Sequence, residues 1–456
     1  MDEFSFQGYW YTPGNESEQI PGTLHFASKE SIELDLFRPF DNYMIERGGG
    51  KYPTAIDTIF GVTDFGGRIT LTDCEPAGHR VSKDYEQDDS ITMKYQPEFG
   101  FIGEHTAGGP EFNTLSVEFT YFDKWIHHAD VEDLKLTLLD GAELLINYVG
   151  LEDPKEPTFG REQEDYRLVV RLEDSVGVEE GLSEYIWPFQ QILSFGLNSP
   201  VFPEYLYGTS MARERFERNA TRFRGIHSQT DFAVERTSVI YSEPLRRLLP
   251  DREPFGYYKL AHIKENAEQI IQDWYDVYNK HRPLFDLYFK SIFYNDQPYP
   301  SVTLLNLTRS LESYHRESEK YSDHYIDEQE FQKYQKELNK TIKESFPEDF
   351  KNHLKHGTFR YANRLALRRR LEDLIEAHED VLSSRLRDEI DSRKMASQIK
   401  QARNGLTHLS DENLEEFNRK AEGGLNRQVA FLIEVIIADE VGLPNEIFPL
   451  YSDDSS

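Results

Sequence analysis

Hydrophobic and polar residues alternate with a period of two in several short stretches near the start of the chain. The clearest stretches are residues 32–36, 115–121, 134–138 and 166–170. Such alternation is typical of β-strands with one buried and one solvated face. Turn-forming segments such as Asp-Phe-Gly-Gly at residues 64–67 separate them, as hairpins require. The pattern predicts an antiparallel sandwich or barrel over about residues 4–175.

The hydrophobic period changes to that of a helix after Leu182, and residues 183–197 are predicted to be helical. Further predicted helices cover residues 302–316, 328–345, 363–380, 383–404 and 411–441. The sequence therefore predicts an α+β multidomain protein. Its predicted parts are a β-rich domain at 1–180, a mixed helical and linking region at 181–255, and a helical region at 256–456.

The charge balance limits which partners the protein can attract. The chain has 456 residues, with 82 Asp and Glu against 51 Lys and Arg, which gives a formal net charge of −31. A field of this sign opposes non-specific binding to nucleic acid. A nucleic-acid substrate would therefore need a local basic patch. The acidity also suits a high-salt cytoplasm, which concerns the source of the protein and not its function.

Several classes of protein are excluded or disfavoured by the residues present. A single cysteine, Cys74, excludes an internal disulfide and a zinc site built from several cysteines. The first residues lack the layout of a signal peptide, and no stretch approaches the ~18 apolar residues of a membrane helix. We expect a cytoplasmic protein with no membrane association, no metal and no other cofactor.

Arginine followed by histidine after a short gap is the motif that suggests chemistry. Three matches occur: Arg222 to His227, Arg309 to His315, and Arg403 to His408. One or two such matches are expected by chance, so context must separate them. We favour the third, because Asn404 follows its arginine at the end of a long predicted helix. Gly405 is predicted to break that helix before a final apolar helix.

The residue types of this third match suit RNA cleavage without a metal. One group must take the proton of the 2′-hydroxyl and another must protonate the leaving 5′-oxygen, and the His408 imidazole can do either. The Arg403 guanidinium offers paired donors to phosphate oxygens, and Asn404 would orient the histidine or the phosphate. The structural alternative is a helix cap in which His408 is a polar surface residue.

Two segments of the helical region resemble the ApeA-like branch of the HEPN superfamily. Residues 304–316 (LLNLTRSLESYHR) are similar to that branch's first-helix pattern, approximately F-L-x-L-x-x-A-L-E-x-Y-H-R, although Ser310 replaces the alanine and the leading Phe is missing. Residues 402–408 resemble its R-N-x-x-x-H motif. The β-rich domain that precedes HEPN in these proteins is also similar to this chain at residues 6–13, 20–24, 59–63 and 119–125.

The resemblance implies an all-α HEPN bundle with its core at about residues 300–445. It also implies a metal-independent endoribonuclease of anti-phage defence by abortive infection, working as a homodimer through the HEPN domain. The β-rich domain would be the sensor or regulator, and a phage-derived molecule the trigger. Glu312 would support the site, or else pair with Arg316. The alternatives are a non-catalytic HEPN protein that regulates a partner, and a ligand-binding β-sandwich whose helices only dimerise.

A basic segment could hold RNA despite the overall negative charge. Residues 351–370 contain no acidic residue. The predicted RNA-binding residues are Arg360, Arg364, Arg368, Arg369 and Arg370. Phe359 and Tyr361 would stack on bases. The alternative is a helix whose arginines pair with nearby acids such as Glu372 and Asp373.

Overall fold

The computed structural model describes most of the chain and divides it into two compact units. The described residues are 4–26, 32–47, 50–82, 90–126, 134–149, 165–210, 237–241, 249–250, 254, 256–295, 299–354, 359–386, 390–407 and 424–448. The units are Met1–Tyr275 and Asp276–Ser456. The predicted domain boundaries near residues 180 and 255 stay predictions.

The first unit is built on β-strands. They are β1 (Phe4–Tyr11), β2 (Ile20–Phe26), β3 (Glu33–Leu36), β4 (Met44–Arg47), β5 (Gly50–Pro53), β6 (Ile56–Thr63), β7 (Arg68–Ser82), β8 (Ser90–Gln96), β9 (Phe99–Ile102), β10 (Phe112–Phe119), β11 (Leu134–Thr137), β12 (Glu143–Val149), β13 (Asp165–Val176), β14 (Pro203–Thr209) and β15 (Thr237–Tyr241). Strands β4 and β5 form a separate hairpin, and the other thirteen described strands form one sheet. The four alternating stretches seen in the sequence correspond to β3, β10, β11 and β13.

Six strands of the sheet close into an antiparallel barrel in the order β7-β6-β1-β2-β3-β8. Closure depends on the 15-residue β7, whose first half pairs with β6 and whose second half pairs with β8. Alternate side chains fill the interior, among them the fully buried Trp10, Leu24 and Leu34. Gly61 lies against the Trp10 ring, where a Cβ atom would collide. The predicted β-rich domain is thus a barrel, which leaves fewer exposed strand edges than an open sheet.

The remaining seven strands extend the sheet from the other side of β7. Their order is β9-β15-β14-β10-β13-β12-β11, and every pairing is antiparallel. Strands β14 and β15 come from the segment that the sequence suggested was a mixed linking region. Their place in the sheet depends on pairing with β10 and β9, which are distant in sequence. Local pattern alone carries no information about such partners.

Helices occur mainly after residue 176. They are α1 (Phe122–Ile126), α2 (Val178–Gly181), α3 (Trp187–Leu197), α4 (Leu260–Ile263), α5 (Ala267–Lys280), α6 (Arg282–Ile292), α7 (Pro300–Glu317), α8 (Glu328–Ser345), α9 (Glu348–His353), α10 (Leu367–Ala377), α11 (Glu379–Leu386), α12 (Ser392–Thr407) and α13 (Asn426–Glu440). A π-helical segment, Leu182–Ile186, joins α2 to α3, and short 3-10 helices lie at Asp41–Tyr43, Lys264–Asn266, Phe359–Tyr361 and Asn445–Ile447.

Helix α7 is central to the second unit. It packs against α6, α10, α12 and α13. Its stripe of Leu304, Leu307, Leu311 and Tyr314 is buried, as the 3.6-residue periodicity predicted. The two predicted helices at 302–316 and 328–345 are confirmed by α7 and α8. None of the helices within the described ranges is both long and apolar enough to cross a membrane.

Several predicted helix boundaries were wrong. The helix predicted at 363–380 begins only at Leu367, because Asn363 is held by tertiary hydrogen bonds: its side chain bonds both the N–H and the carbonyl of Ile326, at 3.1 and 3.0 Å. The region predicted as one helix at 383–404 is divided between α11 and α12.

Gly405 does not end α12, which continues to Thr407. A glycine inside a helix costs only about 1 kcal/mol relative to alanine. Burial of the neighbouring Leu406, which is 5% exposed, helps to offset that cost. The start of the helix predicted at 411–441 falls outside the described residues, and α13 begins at Asn426.

Candidate active site

Arg403 and Asn404 lie in the last two turns of α12. Both side chains are half-buried. The Arg403 Nη1 atom donates to Oδ1 of Asn404 at 3.3 Å. Buried Ile399 and Leu406 hold the same helix against its neighbours. The arrangement leaves a partly solvated cation on a fixed backbone at a helix C-terminus, where positive charge is favourable.

The donors of Arg403 are only partly used. A guanidinium has five N–H groups, and the contact with Asn404 occupies one of them. In the part of the chain that the structure describes, no carboxylate pairs with Arg403. This guanidinium can therefore present paired donors to an incoming phosphate.

His408 follows directly after the last residue of α12 but lies outside the described residues, as do Arg222 and His227. The geometry between Arg403 and His408 therefore stays a prediction. Within the described ranges, no group of three or more His, Cys, Asp or Glu side chains is placed to hold a metal ion.

The match between Arg309 and His315 has a different environment. Arg309 is exposed, whereas His315 is fully buried within α7. The Nε2 atom of His315 lies 3.2 Å from Oδ2 of Asp373 on α10, and its ring stacks on Tyr321 at 4.9 Å between centroids. Burial lowers the pKa of His315, although the Asp373 carboxylate acts in the opposite direction. His315 is therefore a neutral side chain that joins two helices.

Tyr314 makes a second connection from the same turn of α7. Its hydroxyl donates to Oε1 of Glu440 at 2.5 Å, and Lys320 Nζ lies 2.7 Å from the same oxygen. Burial alone would raise the pKa of Glu440, but the hydrogen bonds from Lys320 and Tyr314 outweigh it and lower that pKa. The sequence pattern did not lead us to predict this network, although polar residues next to a predicted buried leucine stripe could have indicated it.

Glu312 takes part in the ion pair that was weighed against a role in the site. Its Oε1 atom accepts from Arg316 Nη2 at 3.0 Å, one turn further along α7. The Glu312 and Arg316 side chains are 29% and 50% exposed, so the pair is at the surface of the bundle. The supporting role of Glu312 stays a prediction.

Arg368 and Arg369 pair with acids one turn along α10. Arg368 Nε donates to Glu372 Oε1 at 2.7 Å, and Arg369 Nη2 lies 2.8 Å from Asp373 Oδ1. Both arginine side chains remain about half exposed. This is the arrangement that the sequence offered as the alternative to RNA binding.

Arg370 points into the bundle. It is 3% exposed, pairs with Asp323, and donates from Nε to the Leu365 carbonyl at 3.0 Å. Its place among predicted RNA-binding residues must therefore be corrected, since a buried and paired guanidinium does not reach a ligand at the surface. The helical period, which turns every third or fourth residue inward, is the physical reason.

Arg360 and Arg364 differ from those three arginines. Both are exposed, and their guanidinium carbons lie 5.6 and 5.5 Å from the centre of the Tyr361 ring. Tyr361 is itself 49% exposed. The structure thus brings two of the five predicted arginines together with one predicted stacking residue.

Comparison with known protein families identifies both units. The family model described as ApeA N-terminal domain 1 matches residues 5–274, which is more than half of the chain. The model described as Apea-like HEPN matches residues 305–447. No curated protein and no solved structure gives a significant match.

Proposed function

Because the chain belongs to the family defined by ApeA N-terminal domain 1 and carries an Apea-like HEPN domain after it, we propose that it is a metal-independent endoribonuclease. Arg403 and His408 would be its catalytic pair. The observation that carries the proposal is the partly solvated Arg403, bonded to Asn404 and paired with no carboxylate among the described residues.

The proposed reaction is attack of a ribose 2′-hydroxyl on the adjacent phosphorus. One His408 imidazole takes the hydroxyl proton as the new P–O bond forms, and an imidazolium protonates the 5′-oxygen as its P–O bond breaks. The products are a 2′,3′-cyclic phosphate and a 5′-hydroxyl. Arg403 would stabilise the negative charge on the phosphorane, and Asn404 would orient the guanidinium through the observed contact.

A homodimer formed through the HEPN domain would supply both proton-transfer groups. Each chain contributes one Arg403 and one His408, so that one imidazole is the base and the other the acid. A mixed dimer of one unsubstituted chain and one His408→Ala chain tests this arrangement. Because the composite site then lacks either its acid or its base, the mixed dimer should cleave RNA about 10²- to 10⁴-fold more slowly than the unsubstituted dimer. A mixed dimer that keeps half of the cleavage rate would show that each chain holds an independent site.

Substitution of His408 tests the catalytic assignment directly. His408→Ala should lower cleavage of total RNA by about 10²- to 10⁴-fold, which is the usual contribution of a general acid or base. The exposed His262, which precedes the HEPN domain, offers a control in His262→Ala. Circular dichroism and thermal unfolding should show that both variants remain folded.

The outcome also distinguishes a catalytic HEPN domain from a non-catalytic one. Undiminished degradation of RNA by the His408→Ala protein would reject the assignment. Failure of the unsubstituted protein to cleave RNA in any condition tested would favour a non-catalytic HEPN protein that regulates a partner.

The N-terminal domain is proposed to control the nuclease in anti-phage defence by abortive infection. An unregulated nuclease acting on cytoplasmic RNA would kill its host, so a separate sensing domain is needed. Expression of residues 276–456 alone should be more toxic than expression of the full chain, provided that this fragment folds. The full chain should become toxic on phage infection, and the His408→Ala chain should not.

A further inference from the structure

The Phe359–Tyr361 turn presents an aromatic ring with two guanidinium groups beside it. The guanidinium carbons of Arg360 and Arg364 lie 5.6 and 5.5 Å from the Tyr361 ring centre, within the distance at which a cation is attracted to a π-system. We name these three residues the arginine–tyrosine platform.

The charge of the platform is unusual for its surroundings. The chain carries a net charge of −31, yet residues 351–370 contain no Asp or Glu. Arg368 and Arg369 pair with acids of α10. By contrast, in the described part of the chain neither Arg360 nor Arg364 has a carboxylate partner. The positive charge at the platform is therefore available to an anion from outside.

The backbone beneath the platform is held in place. The Arg364 N–H donates to the Tyr361 carbonyl at 3.0 Å, which closes the turn. Between them, Asn363 is buried, and its side chain bonds both backbone groups of Ile326. The Leu365 N–H donates to the Asp323 carbonyl at 2.9 Å. The aromatic ring is therefore mounted on a fixed support, which lowers the entropy lost on binding.

We propose that the arginine–tyrosine platform holds an unpaired nucleotide of the RNA substrate. The base stacks on the Tyr361 ring as Arg360 and Arg364, whose guanidinium groups lie over that ring in the free protein, turn to the flanking phosphates. Every base has a π-face, so such stacking is tolerant of sequence, whereas paired bases are not accessible to it. This inference rests on the proposed function for the identity of the ligand, but it concerns residues other than Arg403 and His408.

Binding can be measured without cleavage in the full-length His408→Ala protein. The probe is a labelled single-stranded RNA of about 12 nucleotides, followed by fluorescence anisotropy at fixed salt. Tyr361→Ala should raise the dissociation constant by about tenfold, which corresponds to about 1.4 kcal/mol and lies within the range that stacking on an aromatic side chain contributes. The affinity for a duplex of the same length should change less than twofold.

Tyr334 offers a matched control for the aromatic residue. It is also 49% exposed, but its hydroxyl bonds Glu330 within α8. Tyr334→Ala should change the affinity for the single-stranded RNA by less than about twofold. The reason is that binding comes from stacking on the platform, and an exposed aromatic side chain elsewhere does not supply it. Equal weakening by Tyr334→Ala and Tyr361→Ala, or equal weakening for single-stranded and duplex RNA, would overturn the proposal.

The charge can be tested with two double variants that remove the same number of cations. Arg360→Gln with Arg364→Gln should weaken binding by at least tenfold. It should also make the slope of log association constant against log salt concentration shallower by about 1.4, because each phosphate contact on a single strand contributes about 0.7. Arg368→Gln with Arg369→Gln should weaken it less than threefold, because those guanidiniums are paired with Glu372 and Asp373. The same loss in both double variants would show that only net charge matters.

Failure of the platform and failure of the proposed function give different results. Normal binding by Tyr361→Ala, together with loss of cleavage in His408→Ala, would reject the platform and retain the nuclease. Binding that depends on Tyr361, in a protein that never cleaves RNA, would retain the platform and reject the nuclease. An unsubstituted chain that binds no single-stranded RNA would reject the platform.

Discussion

The arginine and histidine of α7 and the arginine near the end of α12 occupy different environments. In α7, Arg309 is exposed while His315 is fully buried against Asp373. In α12, Arg403 is half-buried in the last turns of the helix, and the chain reaches His408 just after the helix ends. The exposed Arg309 and the buried His315 therefore cannot face one ligand together, whereas Arg403 stays partly solvated near the end of its helix.

The environment of His315 shows that burial, and not residue identity alone, decides what a histidine can do. In the middle of α7, the loss of solvent lowers the pKa of His315 and closes it to any ligand. At a helix end, side chains remain partly solvated and the backbone leaves unsatisfied groups that polar ligands can approach. Four predictions test this comparison, from the largest effect to the smallest.

The largest effect is expected at Arg403. Arg403→Ala should lower the initial rate of RNA cleavage by about 10²- to 10³-fold, because it removes a preorganised donor to the phosphorane. Arg309→Ala is the matched control, since Arg309 is an exposed arginine of the other pair. Its rate should stay within about twofold. Comparable losses of cleavage rate in the two variants would show that Arg403 has no role that Arg309 lacks.

His315 should matter for stability and not for chemistry. His315→Ala leaves a cavity and removes a partner of Asp373, so it should lower the free energy of unfolding by about 2–3 kcal/mol. Urea denaturation measures this loss, and the cleavage rate per folded molecule should be unchanged. A variant of normal stability with no cleavage would instead give His315 a role in the reaction.

Acidic pH should destabilise the helical unit through two buried histidines. Burial lowers the folded-state pKa of His281 and of His315. Below about pH 6.5, the unfolded chain takes up protons that the folded chain does not. The free energy of unfolding should therefore fall as the pH decreases from 7.5 to 5.5, by at most about 1.4 kcal/mol per pH unit for each histidine.

Urea denaturation at several pH values measures that slope, and His315→Asn should make it shallower. Glu440 does not contribute to the pH dependence between pH 7.5 and 5.5. Its folded-state pKa is lowered, so the stability that it contributes is lost only at pH values below the ordinary range of a glutamate. A slope that is identical in the His315→Asn protein would show that other groups cause the pH dependence.

The smallest effect is expected at Glu312. Its pair with Arg316 lies at the surface, where such pairs contribute about 0.5 kcal/mol or less. Glu312→Gln should therefore change both stability and the cleavage rate very little. The informative exception is a tenfold fall in cleavage at unchanged stability, which would establish the supporting role that the family resemblance implies.

The parts of the fold that depend on local pattern were predictable. The alternation at residues 115–121 predicted β10, and the leucine stripe beginning at Leu304 predicted the buried face of α7. By contrast, the sequence did not show that β7 pairs with both β6 and β8, which closes the barrel. Pairing between distant strands depends on partners that a local window does not contain.

For the candidate site, the sequence by itself determined the residue types, the Arg403-Asn404 dipeptide at the end of a helix, and the family to which it points. Only the tertiary structure decided which cations remain available. It buried Arg370 against Asp323, engaged Arg368 and Arg369 on α10, and left Arg360 and Arg364 beside Tyr361. The physical reason is that a charge pattern records how many arginines a segment has, whereas the availability of each one depends on burial and on acids that folding brings near it.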